Sequence, residues 1–119
     1  MLRCRQTVKL LELGEQVEYN TLLREVDFGS WETKTFTEIV AADKTLVDAW
    51  AADSEDFSFP QGESLAGFRS RVHLFKEKLY ECEEQSILVV THGGIIRHLI
   101  CELLCLVSEK YLVFQVLPG

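Results

Sequence analysis

Apolar residues return every three or four positions at Leu65, Phe68, Val72, Phe75, Leu79 and Cys82. The spacing predicts a helix beginning near Ser64 that buries one stripe, with Ser64 as its N-cap. Arg69, Arg71, Lys76 and Lys78 fall elsewhere on that helix and are expected to be solvated. Ile95 to Leu106 predicts a helix so apolar that it is largely buried, and Leu2 to Leu13 predicts another, stopped by Gly14. Thr35-Phe36-Thr37-Glu38 has the spacing of a capping box. It starts a helical stretch expected to bury Phe36, Ile39, Val40, Val47 and Trp50, with a break near Ala42 to Lys44. Ile87-Leu88-Val89-Val90 shows no polar alternation and is mostly β-branched, which predicts a fully buried strand. Gln16 to Tyr19 and Tyr111 to Leu117 are further strand candidates, and the acidic stretch from Ala51 to Gly62 reads as a loop.

The resulting order, helix, strand, helix, helix, strand, helix, strand, is an alternating α/β pattern, for which a sheet layered between helices is the expected outcome. Three short strands are few for so many apolar helices, so strands have escaped the pattern or the chain is part of something larger. The 119 residues fit one domain, without internal repeats or low-complexity segments.

Composition narrows the function classes. At 47% hydrophobic and 26% charged the chain is an ordinary soluble globular type. Its net charge of −7 argues against a nucleic-acid partner, which calls for a basic face, and any phosphate site must gather its own arginines and dipoles locally. No stretch is apolar enough for a membrane span, and Arg3, Arg5 and Lys9 break up any signal-peptide core. Cys4, Cys82, Cys101 and Cys105 form no CxxC pair. Cys101 and Cys105 share a helix face, but nothing completes a zinc set, so buried reduced thiols, a cytoplasmic setting and no metal are expected.

Candidate chemistry centres on Thr91-His92-Gly93-Gly94, where the strand candidate hands over to a helix. The carboxyl edge of a sheet is where open α/β folds bind ligands, and the N–H groups of a helix start favour anions. His92 either faces a phosphoryl group there or simply finishes the strand. Arg3 and Arg5 offer planar forks that suit phosphate, or are solvated at a helix start. In Leu22 to Glu32 three carboxylates lie among Phe28 and Trp31, and a carboxyl held near apolar rings can donate a proton near neutrality. Gly62-Glu63-Ser64 precedes the long helix, while His73 and His98 lie within helices and are expected to be surface or packing residues.

Taken together, these pieces resemble the histidine phosphatase superfamily, with its phosphoglycerate-mutase-like fold, over nearly the whole chain. Leu2-Arg3-Cys4-Arg5-Gln6-Thr7 resembles the segment that carries a phosphate-binding arginine, which Arg3 matches. Leu23-Arg24-Glu25 with Phe28-Gly29 resembles the family's L-x-E-x-x-[FY]-G, whose glutamate donates a proton. Gly62-Glu63-Ser64 with Phe68 and Arg71-Val72 matches the G-E-S…F…R-V approach to a helix, and Thr91-His92-Gly93-Gly94 matches the histidine that contacts the transferred phosphoryl group. Phe28-Gly29-Ser30-Trp31-Glu32 and the acidic stretch after Trp50 look most like the α-ribazole phosphatase branch.

The resemblance implies a three-layer α/β/α fold with a mixed, mostly parallel sheet, incomplete at its N-terminus, so that residues 1–119 make a single partial domain. It implies catalytic roles for His92, Glu25 and Arg3, substrate contacts from Gly93, Glu63 and Ser64, and no cofactor or metal. The substrate is expected to be a small phosphorylated metabolite such as α-ribazole 5'-phosphate, with no nucleic-acid or membrane partner and with homodimerisation open.

The chain also departs from the family. The Arg-His-Gly motif, whose histidine becomes phosphorylated, is absent, and Thr33 replaces a glycine that often follows Trp-Glu. Met1 falls inside the family's Ser-Pro-Leu segment, and the chain stops at Leu117-Pro118-Gly119, where members usually continue into another strand. The expectation is therefore an enzyme by family whose chain is inactive alone. The alternatives are a non-catalytic phosphate-binding or dimerising relative and a mutase-like phosphotransferase.

Overall fold

The structure, a computed structural model, describes residues 2–12, 17–52 and 56–117. Leu13, Gly14 and Gln16, to which the sequence assigns a helix end, a helix stop and a strand start, lie outside them. Five α-helices follow in order among the described residues: α1 Leu2–Leu10, α2 Phe36–Ala42, α3 Lys44–Ala51, α4 Leu65–Glu81 and α5 Gly93–Leu103. Short 3-10 turns occupy Thr21–Leu23, Gly29–Trp31 and Ser108–Val113. None of the helices is long and apolar enough to cross a membrane.

Of the expected α/β/α arrangement the structure shows the helices. Among the described residues there is no strand, and the one bridge is an isolated antiparallel pairing of Ser58 with Ser64. A strand exists only as half of a ladder, its N–H and C=O groups bonded to a neighbour about 4.8 Å away. Nothing described pairs with 87–90, so Ile87 and Leu88 are exposed, Leu88 to 65%, instead of buried. Tyr111 to Leu117 is likewise not a strand. Its first half winds into the Ser108–Val113 turn, and it is tied to α5 by Arg97 Nε donating to the Phe114 carbonyl (3.0 Å) and by the Tyr111 ring stacked on His98 at 4.3 Å.

The chain divides into two compact units, Val26–Ser70 and Met1–Glu25 with Arg71–Gly119. In the first, Trp31 is the hub of an aromatic cluster, meeting Trp50, Phe57 and Phe59 at centroid distances of 6.1, 6.0 and 5.4 Å. The capping box forms as expected: Thr35 N–H donates to Glu38 Oε2 (2.8 Å) and Glu38 N–H donates to Thr35 Oγ1 (3.3 Å). The Thr35 N–H bond, with Thr35 Oγ1 donating to the same Oε2 (2.8 Å), holds the Glu38 carboxyl below its ordinary pKa. The expected break falls at Asp43, whose side chain accepts from Leu46 N–H (3.0 Å) and starts α3. Ile39 and Val47 are buried, whereas Phe36 is 60% exposed, because the first residue of α2 lies beyond the covered part of its apolar face.

Gly29 takes a left-handed conformation (φ +54°), and a Cβ there would run into the backbone of Pro60, Gln61 and Gly62. The two turns thus pack backbone to backbone, joined by Ser30 N–H to the Pro60 carbonyl (2.8 Å) and Glu63 N–H to the Asp27 carbonyl (2.9 Å).

In the second unit α5 supplies Ile95, His98, Leu99 and Cys101 to the buried set, with Ile95 fully enclosed. The helix ends at Leu103, short of the expected Leu106, and Leu103, Leu104 and Leu106 are exposed. Along α4, Leu65 and Phe68 of the first unit and Val72 and Phe75 of the second are buried as the stripe requires, while Cys82 lies past the helix end and is exposed. Cys105 is exposed as well, so of the thiols expected to be buried only Cys101 is. Arg71 corrects the sequence reading, being only 8% exposed. Position 71 is three residues after Phe68 and four before Phe75, which places it on the buried face.

Candidate active site

His92 stands immediately before α5, in extended backbone (φ −103°, ψ 159°), so its ring sits where the helix N–H groups are unpaired by the helix itself. Gly93 and Gly94 form the first two helical positions. Gly94 N–H points to Glu25 Oε2 at 3.5 Å, and a Cβ on Gly94 would come within 2.6 Å of Glu25 Oε1. The absence of a side chain at 94 is therefore what lets the carboxylate lie against the helix start. The positive end of the helix dipole favours a carboxylate there.

The segment that carries Glu25 is held through its carbonyls. Arg71 Nη1 donates to those of Leu22 and Arg24 (2.7 Å each) and Arg71 Nη2 to that of Glu25 itself (3.2 Å). Thr91 Oγ1 donates to the remaining one, Leu23 (2.7 Å). Four consecutive carbonyls are thus bonded by two side chains, one on α4 and one beside His92.

Cys4 Sγ of α1 lies 3.4 Å from His92 Nε2. Burial lowers the His92 pKa below its ordinary 6.5 and the nearby Arg3 charge lowers it further, while the Glu25 carboxylate opposes both. The balance favours the neutral imidazole, which carries one donor and one acceptor nitrogen. Arg3 is exposed on α1, and Arg5 beside it stacks over the Tyr19 ring at 4.8 Å.

The structure therefore brings Arg3, Glu25, His92 and Gly93 together in one unit. Glu63 and Ser64 belong to the other, where both are engaged. Glu63 Oε2 accepts from Asp27 N–H (3.4 Å), and Ser64 Oγ accepts from Gly67 N–H (3.0 Å), the N-cap role the sequence predicts. His73 is exposed and, with Lys76, bonds Glu102 Oε2 at 3.0 and 3.1 Å. His98 is buried, with Nδ1 3.0 Å from the Gly94 carbonyl. Cys4, Thr91 and Arg71 were not singled out from the sequence for these contacts. The signals available were the helical register of Arg71 and the places of Arg71 and Thr91 in the motifs quoted above. Among the described residues no group of His, Cys, Asp and Glu could hold a metal ion.

A neutral imidazole, a carboxylate on a helix N-terminus and a nearby arginine suit an anionic group at which a proton is transferred. The chain belongs to the histidine phosphatase superfamily (branch 1), whose model it matches over residues 1–118. It is 33% identical over 89 residues to a Hydrogenobacter thermophilus protein named for phosphoserine phosphatase activity, covering 75% of this chain and 44% of that one. It is 30% identical over 120 residues to the adenosylcobalamin/alpha-ribazole phosphatase of Salmonella typhimurium, covering 98% of this chain and 59% of the relative. Among solved structures it is similar to the alpha-ribazole phosphatase of Shigella flexneri, with a TM-score of 0.82, 28% identity and the same 98% and 59% coverage. The chain thus spans about half the length of the relatives it matches, and its helices follow the phosphoglycerate-mutase-like fold.

Proposed function

We propose that this chain carries the proton-donor and phosphoryl-binding part of a phosphomonoesterase that acts on a small phosphorylated metabolite. The observation that carries this reading is the Glu25 carboxylate lying against Gly94 at the start of α5, directly after His92. In the family reaction a histidine nitrogen attacks phosphorus and the ester oxygen leaves with a proton. Water then cleaves the phosphohistidine and gives up a proton of its own. In this reading Glu25 supplies the first proton and recovers the second, with Arg3, His92 and the N–H of Gly93 on the phosphoryl oxygens. Glu63 and Ser64 are assigned to the substrate side.

The chain has three histidines, His73, His92 and His98, none within an Arg-His-Gly motif. The nucleophile is accordingly assigned outside these 119 residues, and the chain is read as one partial domain whose sheet layer forms when Ile87–Val90 gains a strand partner. The relatives named for α-ribazole favour α-ribazole 5'-phosphate as substrate, and the one named for phosphoserine favours the broader class, small phosphomonoesters.

The test is hydrolysis of an aryl phosphate by the chain and by His92→Ala, both verified as folded by circular dichroism, together with an NMR titration of the chain with inorganic phosphate. Loss of the nucleophile costs about a millionfold in turnover in comparable covalent enzymes, so no hydrolysis is expected, while phosphate shifts the His92 and Gly94 resonances. Turnover that disappears in His92→Ala would overturn the assignment of the nucleophile. Resonances unmoved by phosphate would overturn the site.

A further inference from the structure

We propose that Arg71, seconded by Thr91, is the positioning residue for Glu25: by holding the carbonyls of residues 22–25 it fixes where the Glu25 carboxylate meets the start of α5. The proposal rests on the reading of Glu25 given above and adds to it the source of that side chain's placement.

Residues 22–25 include only the last part of a short 3-10 turn and belong to no longer helix or ladder. Such a segment has carbonyls without regular partners, and buried carbonyls need them. Arg71 answers for three of the four with hydrogen bonds of 2.7, 2.7 and 3.2 Å. A guanidinium is suited to this because its donors are fixed in one plane and stay charged, making the bonds both strong and directional. A lysine ammonium is a point charge and cannot span three carbonyls in one geometry.

The residue's own setting is fixed as well. It projects from the buried face of the 17-residue helix α4, between Phe68 and Phe75, both buried. Thr91 completes the clamp at Leu23 from one residue before His92, so the segment bearing the carboxylate and the segment bearing the imidazole are tied at that point. Arg71 touches no reacting atom in this scheme. It acts through Glu25.

The test reads the placement of the carboxylate, not stability. Glu25 raises the His92 pKa, so the His92 ring protons, followed by NMR against pH, report where the carboxylate is. Glu25→Gln removes the charge that raises the His92 pKa and should lower the His92 midpoint. Arg71→Lys keeps a cation on α4 but cannot hold all three carbonyls. It should lower the His92 midpoint in the same direction and by an amount comparable to that of Glu25→Gln. Thr91→Val removes one bond from the same segment with little change of shape, and should give a smaller shift of the same sign. It decides the matter if circular dichroism shows Arg71→Lys to be unfolded.

A His92 midpoint that stays at its wild-type value in every folded clamp variant, while Glu25→Gln lowers it, would overturn the positioning role and leave the reading of Glu25 intact. A midpoint unmoved by Glu25→Gln would show that the carboxylate is not held at the site, and would overturn both.

Discussion

At the scale of single residues, Gly94 makes the sharpest prediction. In an ordinary helix interior Gly→Ala gains about 1 kcal/mol. Here the new Cβ would meet only the far end of a flexible side chain, Glu25 Oε1, so the helix can keep its geometry while the carboxylate moves away. Gly94→Ala should therefore melt no lower than the parent chain and still lose the Glu25 effect, its His92 midpoint falling as in Glu25→Gln. A variant that loses stability and keeps the midpoint would show that the carboxylate is not what Gly94 accommodates. The residues of this site were legible in the sequence to different degrees. His92 and Glu25 carry chemistry that few side chains supply, and each sits in a short motif. Cys4 and Arg71 were not legible as site residues, because their partners lie 88 and between 46 and 49 positions away and only the folded chain joins them. The charge of Arg71 also argued for solvent, since a buried arginine is rare unless its donors are satisfied. Its helical register argued the opposite, and register prevailed because three carbonyls were there to receive it.

At the scale of elements, local signals were read correctly wherever the stabilising partner was also local. The capping box of Thr35 and Glu38, the break at Asp43 and the Ser64 cap all close within three residues. Thr35→Ala removes the side chain that accepts from Glu38 N–H and should destabilise the Val26–Ser70 unit by about 1 kcal/mol. Both tryptophans lie in that unit, with ring centroids 6.1 Å apart, so a urea melt followed by tryptophan fluorescence measures the loss. An unchanged midpoint would mean that α2 is held by the burial of Ile39 and not by its cap. Strands failed for the converse reason. Ile87–Val90 has the composition of a buried strand, but a ladder needs a second segment, and no described residue pairs with it. Composition alone cannot tell a strand that has found its partner from one that has not.

At the scale of the whole molecule, apolar surface is distributed unevenly. The Val26–Ser70 unit encloses Val26, Trp31, Ile39, Val47, Phe57, Phe59, Leu65 and Phe68, and Phe36 is its one large apolar residue left markedly exposed among those described. In the other unit Leu10, Leu88, Leu104, Val107, Leu112 and Val113 are each more than half exposed. Exposed apolar side chains are what an association can cover, and each buried in one contributes roughly 1.5–3 kcal/mol before the cost of immobilisation. The unpaired 87–90 segment adds backbone N–H and C=O groups that another copy could bond, as an uncovered sheet edge does. Self-association through this unit is the expected result, seen in sedimentation velocity as a weight-average mass that rises with protein concentration above the 13.6 kDa of one chain. Leu88→Lys places a charge in the middle of the unpaired run and should move that rise to higher concentration without altering the tryptophan signal of the other unit. A chain that sediments at 13.6 kDa throughout would refute the association, and would require the exposed apolar residues to be tolerated by the net charge of −7, whose mutual repulsion keeps copies apart. Raising the salt concentration separates the two cases: screening would then bring the copies together, whereas an association already driven by apolar burial would change little.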